Sequence, residues 1–259
     1  MSPTKANFRT VVTSLSKGEV LIPLIRSYLD DPAFPEFRVT VKRFINRPPD
    51  GWFHPSTHPT WPERMLYYYL MHPEEFIGEP YDPLSALTVT QGQFWHSFME
   101  TCRLDCGYLT AANVPVADAD AGSRGEMDGA SRDGEVYELK TMREPKARKI
   151  AKGNPDDPEV LASFRQLVPG YYAQGQEYMR LSGLKRWRLL IISLEWPFPM
   201  REISMRYEPA VAERVRQKYL NVRQAVEDER PPQPCCGPGS KEAQVCPARA
   251  VCPVGRRSL

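Results

Sequence analysis

Two short runs, RGEMDGAS and EVYELKTM, flank the pair Asp133-Gly134 within residues 124–142. Asp-Gly is favoured in tight hairpin turns, so this stretch predicts two antiparallel strands. On a strand, residues two apart point to one face. Glu138 and Lys140 therefore project together with Val136, while Tyr137 and Leu139 point the other way, into a core. The hairpin returns the first strand alongside the second and brings Asp128 close to Glu138.

Two neighbouring carboxylates repel, and one pKa rises unless a positive charge lies between them. Hard divalent cations such as Mg²⁺ or Mn²⁺ prefer such oxygen ligands and keep waters for chemistry. With Lys140 adding a fixed positive charge, the pattern suits metal-assisted hydrolysis of a phosphodiester. An acid and a lysine near a hairpin are also what a solvated face with a weak surface ion pair looks like. Three further features weigh against that reading.

In QFWHSFMETCRLDC, Trp95, Phe98, Met99, Cys102 and Cys106 fall on one helical stripe, the core face. His96, Glu100 and Arg103 fall on the neighbouring stripe, at i, i+4 and i+7. Cys102 and Cys106 read as small core residues. In QGQEY, Gln174 and Tyr178 share a helix face and offer an amide and a phenol to a phosphate backbone. The loop KTMREPKARKIAK carries six basic residues against one acidic residue. Directly after the strand, Arg143, Lys146, Arg148 and Lys149 read as an electrostatic guide for a polyanion.

The remaining elements follow from pattern. SKGEVLIPLIRSYL, PERMLYYYLMH and PAVAERVRQKYLNVRQAVEDE predict helices, and FRVTVKRF, KRWRLLIISLEW and MREISMRY predict strands. Residues 159–168 and 169–182 predict two helices divided at Pro169-Gly170. NRPPDGWFHPSTHPTW and PEEFIGEPYDPLS read as loops. From Pro231 onward Pro, Gly and Cys dominate, and regular structure is expected to stop. Helix, strand hairpin, helix, strand and helix predict an α/β fold with a central mixed sheet flanked by helices. The expected divisions are an N-terminal extension over 1–50, a core over 51–230 and a Cys-rich tail over 231–259 that packs back on the core.

At 259 residues and 41% hydrophobic, the chain can bury a substantial core. No apolar run is long enough to cross a membrane. The opening MSPTKANFRT has no apolar signal region, which predicts a cytoplasmic protein with reduced cysteines. With 34 basic and 32 acidic residues the formal charge is only +2, so binding to nucleic acid must come from a local patch.

The order of these motifs resembles the PD-(D/E)XK nuclease superfamily, and more narrowly the RecB-like and CRISPR-associated exonucleases with their phage-encoded relatives. His96 matches the helix histidine, Asp128 the first acid, Glu138-Leu139-Lys140 the E-x-K element, and Gln174 with Tyr178 the Q-x-x-x-Y motif. The likeness spans roughly residues 52 to 252. It implies a restriction-endonuclease-like core, with Mg²⁺ or Mn²⁺ held by His96, Asp128, Glu138 and the Leu139 carbonyl. Lys140 would assist the attacking water, and Gln174 and Tyr178 would orient DNA or the lysine. Glu100 would touch a second metal or its waters. A recombinase or other DNA-processing protein is a partner the resemblance suggests, in a phage or bacterial setting.

Many relatives hold a 4Fe–4S cluster with four cysteines, one before an N-terminal helix and three as C-x2-C-x5-C after the core. Here Cys246 and Cys252 keep the C-x5-C part, Cys235 and Cys236 are adjacent and lie earlier, and Trp61 stands where relatives have the N-terminal cysteine. Three readings stay open. The four tail cysteines form one closed site, or His58 or His54 replaces the missing cysteine, or the tail is unliganded. Thiolates with one imidazole suit zinc, and thiolates also suit an iron–sulfur cluster; either would act as a structural clasp. His72 reads as a helix-end residue.

The functional expectation is a metal-dependent DNA exonuclease acting on single strands or duplex ends and leaving a 3′-hydroxyl and a 5′-phosphate. The alternatives are an endonuclease, a nuclease-like module that grips DNA without cutting, and an interaction protein organised by its metal clasp.

Overall fold

The computed structural model describes residues 20–31, 48–78, 82–143, 149–150, 156–195 and 198–256. The strand expected at FRVTVKRF and the side chains of Lys146 and Arg148 lie outside them.

The described chain opens with helices α1 (Leu21–Leu29), α2 (Glu63–Met71) and α3 (Pro83–Asp105). Strands β1 (Leu109–Asp118), β2 (Ser123–Ser131) and β3 (Glu135–Met142) follow. Helices α4 (Pro158–Leu167) and α5 (Pro169–Ser182) lead to β4 (Arg186–Ser193), β5 (Met200–Arg206) and α6 (Pro209–Glu227). The sheet runs β1-β2-β3-β4-β5. Its β3–β4 pair is parallel and the other pairs are antiparallel, so the sheet is mixed. A parallel pair needs a crossover, and α4 and α5 supply it.

The hairpin forms as expected. Gly134, at φ 73°, takes the left-handed conformation that ends the three-residue loop between β2 and β3. Strand alternation then sorts the sheet. Val136, Trp187, Leu189 and Ile191 face α4 and α5 and pack with Phe164 of α4. Tyr137, Leu139, Leu190 and Ile192 face α1 and α3. β4 is an interior strand covered on both faces, which is why RWRLLIIS reads as a nearly continuous apolar run. Each fully buried Leu or Ile there contributes on the order of 2 kcal/mol. A separate aromatic cluster joins α2 to α6, with Phe53 stacked on Tyr219 at 4.4 Å.

Three elements differ from expectation. β1 has no strand-like signature, because Ala, Asn and Pro dominate LTAANVPVAD and its burial is shallow; it forms as the edge partner of β2, where Pro is tolerated. α3 begins at Pro83, well before the apolar stripe, because Asp82 caps it by accepting from Leu84 N at 3.0 Å and Ser85 N at 3.2 Å. The tail is not irregular throughout. It holds α7 (Lys241–Val245), a 3-10 turn (Pro247–Ala250) and α8 (Pro253–Arg256), with Ala243 and Ala248 buried. Ser240 starts α7 by accepting from Ala243 N at 3.2 Å.

Candidate active site

The β2–β3 ladder is short. Its partner pairs are Gly129↔Tyr137 and Ala130↔Val136. Beyond Gly129 the strands open into a fork, and there Asp128 Oδ2 accepts from Leu139 N at 2.7 Å, in place of a strand carbonyl. The fork lets side chains from both layers of helices meet. From the α3 side, His96 Nδ1 comes within 3.5 Å of Asp128 Oδ2. α3 lies close enough because Gly92 carries no side chain: a Cβ there would sit 3.0 Å from Thr141 Oγ1 of β3. From the α5 side, Gln174 Nε2 donates to Glu138 Oε1 at 2.8 Å.

Glu138 and Lys140 project to the same face and form a close ion pair through Glu138 Oε1. The Lys140 ammonium also lies 5.4 Å from the centre of the Tyr171 ring. Glu138 is buried, and its Oε2 has no hydrogen-bond partner. Burial pushes its carboxyl up to about 8, and the charge of Asp128 adds to the rise against the pull of Lys140 and Gln174. Burial alone would lower the Lys140 ammonium, but Glu138 and Asp128 outweigh it and hold the lysine above its usual range. Desolvation lowers His96 below its usual range despite the Asp128 charge, which favours the neutral imidazole that ligates metals.

Tyr178 takes a different post from Gln174. Its hydroxyl donates to Glu126 O at 2.8 Å and so ties α5 to the backbone of β2. Glu100 lines the same cleft as His96 and Asp128, and its Oε1 accepts from Asn113 Nδ2 at 3.0 Å. The cleft measures about 430 Å³ and is also lined by Gln93, Ser97, Arg103, Glu126, Tyr137 and Leu139. Sequence reasoning missed Gln93, Ser97, Asn113, Glu126 and Tyr171. Several carried a signal: Tyr171 precedes Gln174, Gln93 precedes His96 and Ser97 precedes Glu100 by three residues on one helix face, and Glu126 shares a strand face with Asp128. Arg143 and Lys149 are exposed and do not line the cleft.

The tail gathers its cysteines. Cys235, Cys236, Cys246 and Cys252 line one pocket against Arg64, Met65 and Tyr68 of α2, and Arg64 Nε donates to Cys252 Sγ at 3.4 Å. Burial would raise the Cys252 thiol, but Arg64 holds it below its usual range. His58 is not brought to the cysteines. It is buried in an aromatic cage, 4.7 Å from Trp61 and 4.5 Å from Tyr69 between ring centres, with Nδ1 accepting from His54 N at 2.6 Å. The cage pushes His58 down to about 3, chiefly by burial. His54 instead pairs with Asp50 at 3.0 Å. Cys102 is buried in the α3 core stripe and Cys106 is partly covered beside it. His72 caps the end of α2 beside Glu74.

Among the described residues, no three His, Cys, Asp or Glu side chains are drawn close enough together to hold a metal ion as they stand. None of the described helices is long and apolar enough to cross a membrane.

No protein-family model matches the chain, and no curated protein matches it either. Solved structures do resemble it. An alkaline exonuclease, LHK-Exo from Laribacter hongkongensis, aligns with a TM-score of 0.51 at 13% identity, covering 69% of this chain and 89% of that one. The structure of SSO0001 aligns with a TM-score of 0.46 at 15% identity over 92% of this chain and 98% of that one. A phage related exonuclease from Haemophilus somnus 129PT aligns with a TM-score of 0.41 at 9% identity, over 64% and 79%. At these identities the likeness concerns the fold. The chain has an α/β fold, a five-stranded mixed sheet flanked by helices, similar to that of LHK-Exo.

Proposed function

We propose that this chain is a metal-dependent nuclease of the PD-(D/E)XK type, an exonuclease that hydrolyses DNA phosphodiester bonds at single-stranded or duplex ends. The observation that carries the reading is the β2–β3 fork, where Asp128, Glu138, Lys140, His96 and Gln174 converge from two strands and two helices. The exonuclease-like fold agrees with it.

The residues fit a hard divalent cation in their chemistry. Glu138 Oε2 is a buried acceptor with no donor, within reach of the Asp128 charge, and Asp128, His96 and Leu139 line a cleft wide enough for water. Asp128, Glu138, His96 and the Leu139 carbonyl would hold Mg²⁺ or Mn²⁺, with Glu100 at the margin. As they stand, no three of these side chains are drawn close enough together to hold the ion. Bound there, a cation would supply Lewis acidity at the phosphate.

The chain's own residues do the rest. Gln174 fixes Glu138 by its amide, and Tyr178 holds α5 against β2 so that Gln174 stays in place. Lys140, pinned between Glu138 and the Tyr171 ring, presents a full positive charge to the attacking water and the developing negative charge. Arg143, Lys146, Arg148 and Lys149 draw the polyanion in. Water attack on phosphorus leaves a 3′-hydroxyl and a 5′-phosphate. The tail cysteines would hold zinc or an iron–sulfur cluster as a structural clasp against α2; their shared pocket supports this, although no three of them are drawn close enough together as they stand, and metal content and optical absorbance of the purified protein test it.

The test of function compares linear with circular single-stranded DNA in Mg²⁺ or Mn²⁺. Loss of linear DNA alone, abolished in Asp128→Ala, supports the exonuclease. Cut circles indicate an endonuclease, and binding without cutting indicates a non-cleaving module.

A further inference from the structure

The cleft has a second polar wall that the scheme above leaves without a task. Arg103, two turns after His96 on α3, lines it with Ser97 and Asn113. Arg103 is only 1% exposed, and its Nε and Nη2 have no hydrogen-bond partner. Glu100, one turn before it, is engaged by Asn113 instead. The guanidinium lies 3.9 Å from the centre of the Tyr137 ring, and the Tyr137 hydroxyl is likewise buried and unpartnered.

A guanidinium does not escape burial by losing its proton. Leaving such a charge unpaired is costly, and an aromatic face offsets only part of it. Among the described residues, buried Arg188 pairs with Glu135 and Glu202, and partly buried Arg180 pairs with Glu177 and Asp118. Arg103 differs by facing a cleft. Two free donors of a planar fork, with a hydroxyl donor beside them, match the oxygens of a phosphate. Glu100, Glu126 and Asp128 make the remainder of that cleft acidic, so a phosphate entering it needs this partner.

We propose that Arg103, backed by Tyr137, is a phosphate-binding residue that grips a backbone phosphate of the DNA strand lying in the cleft. The inference rests on the nuclease reading and adds a positioning contact to it.

The test measures binding of a fluorescent single-stranded oligonucleotide to the full chain by anisotropy, in EDTA, over a range of salt. Wild type is compared with Arg103→Met, Arg103→Lys and Tyr137→Phe. Arg103→Met is expected to weaken binding about 10-fold and to make the plot of log K against log salt shallower by about 0.7, the loss of one single-strand phosphate contact. A purely structural arginine would leave that slope alone. Arg103→Lys keeps the charge and loses the fork, so affinity falls several-fold with the slope retained, and Tyr137→Phe weakens binding by less. Wild-type affinity and slope in Arg103→Met overturn the proposal. Should that variant fail to fold, wild-type affinity in Arg103→Lys overturns it, as does absence of DNA binding by wild type. Inorganic phosphate alone is the control arm: thermal stabilisation by it, without an Arg103-dependent change in DNA slope, marks a free-anion site and overturns strand binding. Failure of the nuclease reading registers separately, as no Mn²⁺-dependent cleavage.

Discussion

β3 buries two glutamates, one at its start and one at its middle, and the two are treated in opposite ways. Glu135 is clasped by Arg188 at 2.6 Å and 2.9 Å and receives the Tyr108 hydroxyl at 3.1 Å. Burial would raise its carboxyl, but Arg188 outweighs that and holds it below the ordinary range. Arg188 also reaches Glu202, which caps α1 by accepting from Val20 N and Leu21 N. Glu138, three residues on, has one lysine, one amide and an oxygen with nothing to accept. Burial is therefore not what distinguishes the candidate site. Incomplete satisfaction is: Glu135 at the start of the strand is a finished structural joint, and Glu138 at its middle keeps an oxygen without a donor.

The largest effect should come from breaking the finished joint. Arg188→Ala leaves Glu135 and Glu202 buried without their cation, and a loss of about 3–5 kcal/mol is expected in denaturant unfolding. Glu138→Gln should sharpen the contrast by costing less stability than Arg188→Ala, since a glutamine oxygen can still accept from Gln174, an unsatisfied carboxylate oxygen is removed, and Lys140 keeps the nearby Asp128 charge. A loss for Glu138→Gln as large as for Arg188→Ala would erase the distinction between the two glutamates.

Next in size is Lys140→Met. It is expected to lower the cleavage rate by about 10²–10³-fold, the usual cost of removing one charge-stabilising donor, with the fold intact by circular dichroism. Retained cleavage would remove Lys140 from the chemistry.

The two glutamates should also give pH dependences of opposite sign. Glu138, raised to about 8 when folded, binds more protons in the native than in the unfolded state. Its stabilising share is complete below the unfolded value near 4.5 and is lost as pH climbs through 8. Glu135, lowered when folded, contributes above its ordinary value and loses that share as pH falls through the folded value. Unfolding measured from acid to pH 9 should show the alkaline loss disappear in Glu138→Gln and the acid loss shrink in Glu135→Gln. Equal slopes in both variants would contradict the assignment. Mn²⁺ should stabilise wild type more at pH 8 than at pH 6, where a proton competes for Glu138.

How much of this was legible in the sequence follows from which forces are local. The hairpin at Asp133-Gly134, the alternation of EVYELKTM and the break at Pro169-Gly170 are set by backbone preferences a few residues long, and each formed where expected. β1 was not legible, because its residues have weak strand preference and only pairing with β2 makes them extended. At the site, Asp128, Glu138 and Lys140 could be placed together from strand geometry alone. The opening of the ladder at Gly129 could not, since it depends on α3 and α5 packing from opposite faces. Arg103 stood on the His96 stripe in the sequence, but its lack of a partner is a fact of three dimensions. His58 was weighed as a cysteine companion from spacing; the aromatic cage around it, built from Phe53, Trp61 and Tyr69, is invisible without the fold.

The central claim is that the fork carries cation-dependent hydrolysis. The most direct measurement follows release of nucleotides from linear single-stranded DNA by the full chain with Mn²⁺, Mg²⁺ or EDTA, for wild type and Asp128→Ala. The account predicts release with either cation, none in EDTA and a loss of at least about 10³-fold in the variant. Release that persists in EDTA, or that Asp128→Ala leaves unchanged, would contradict it.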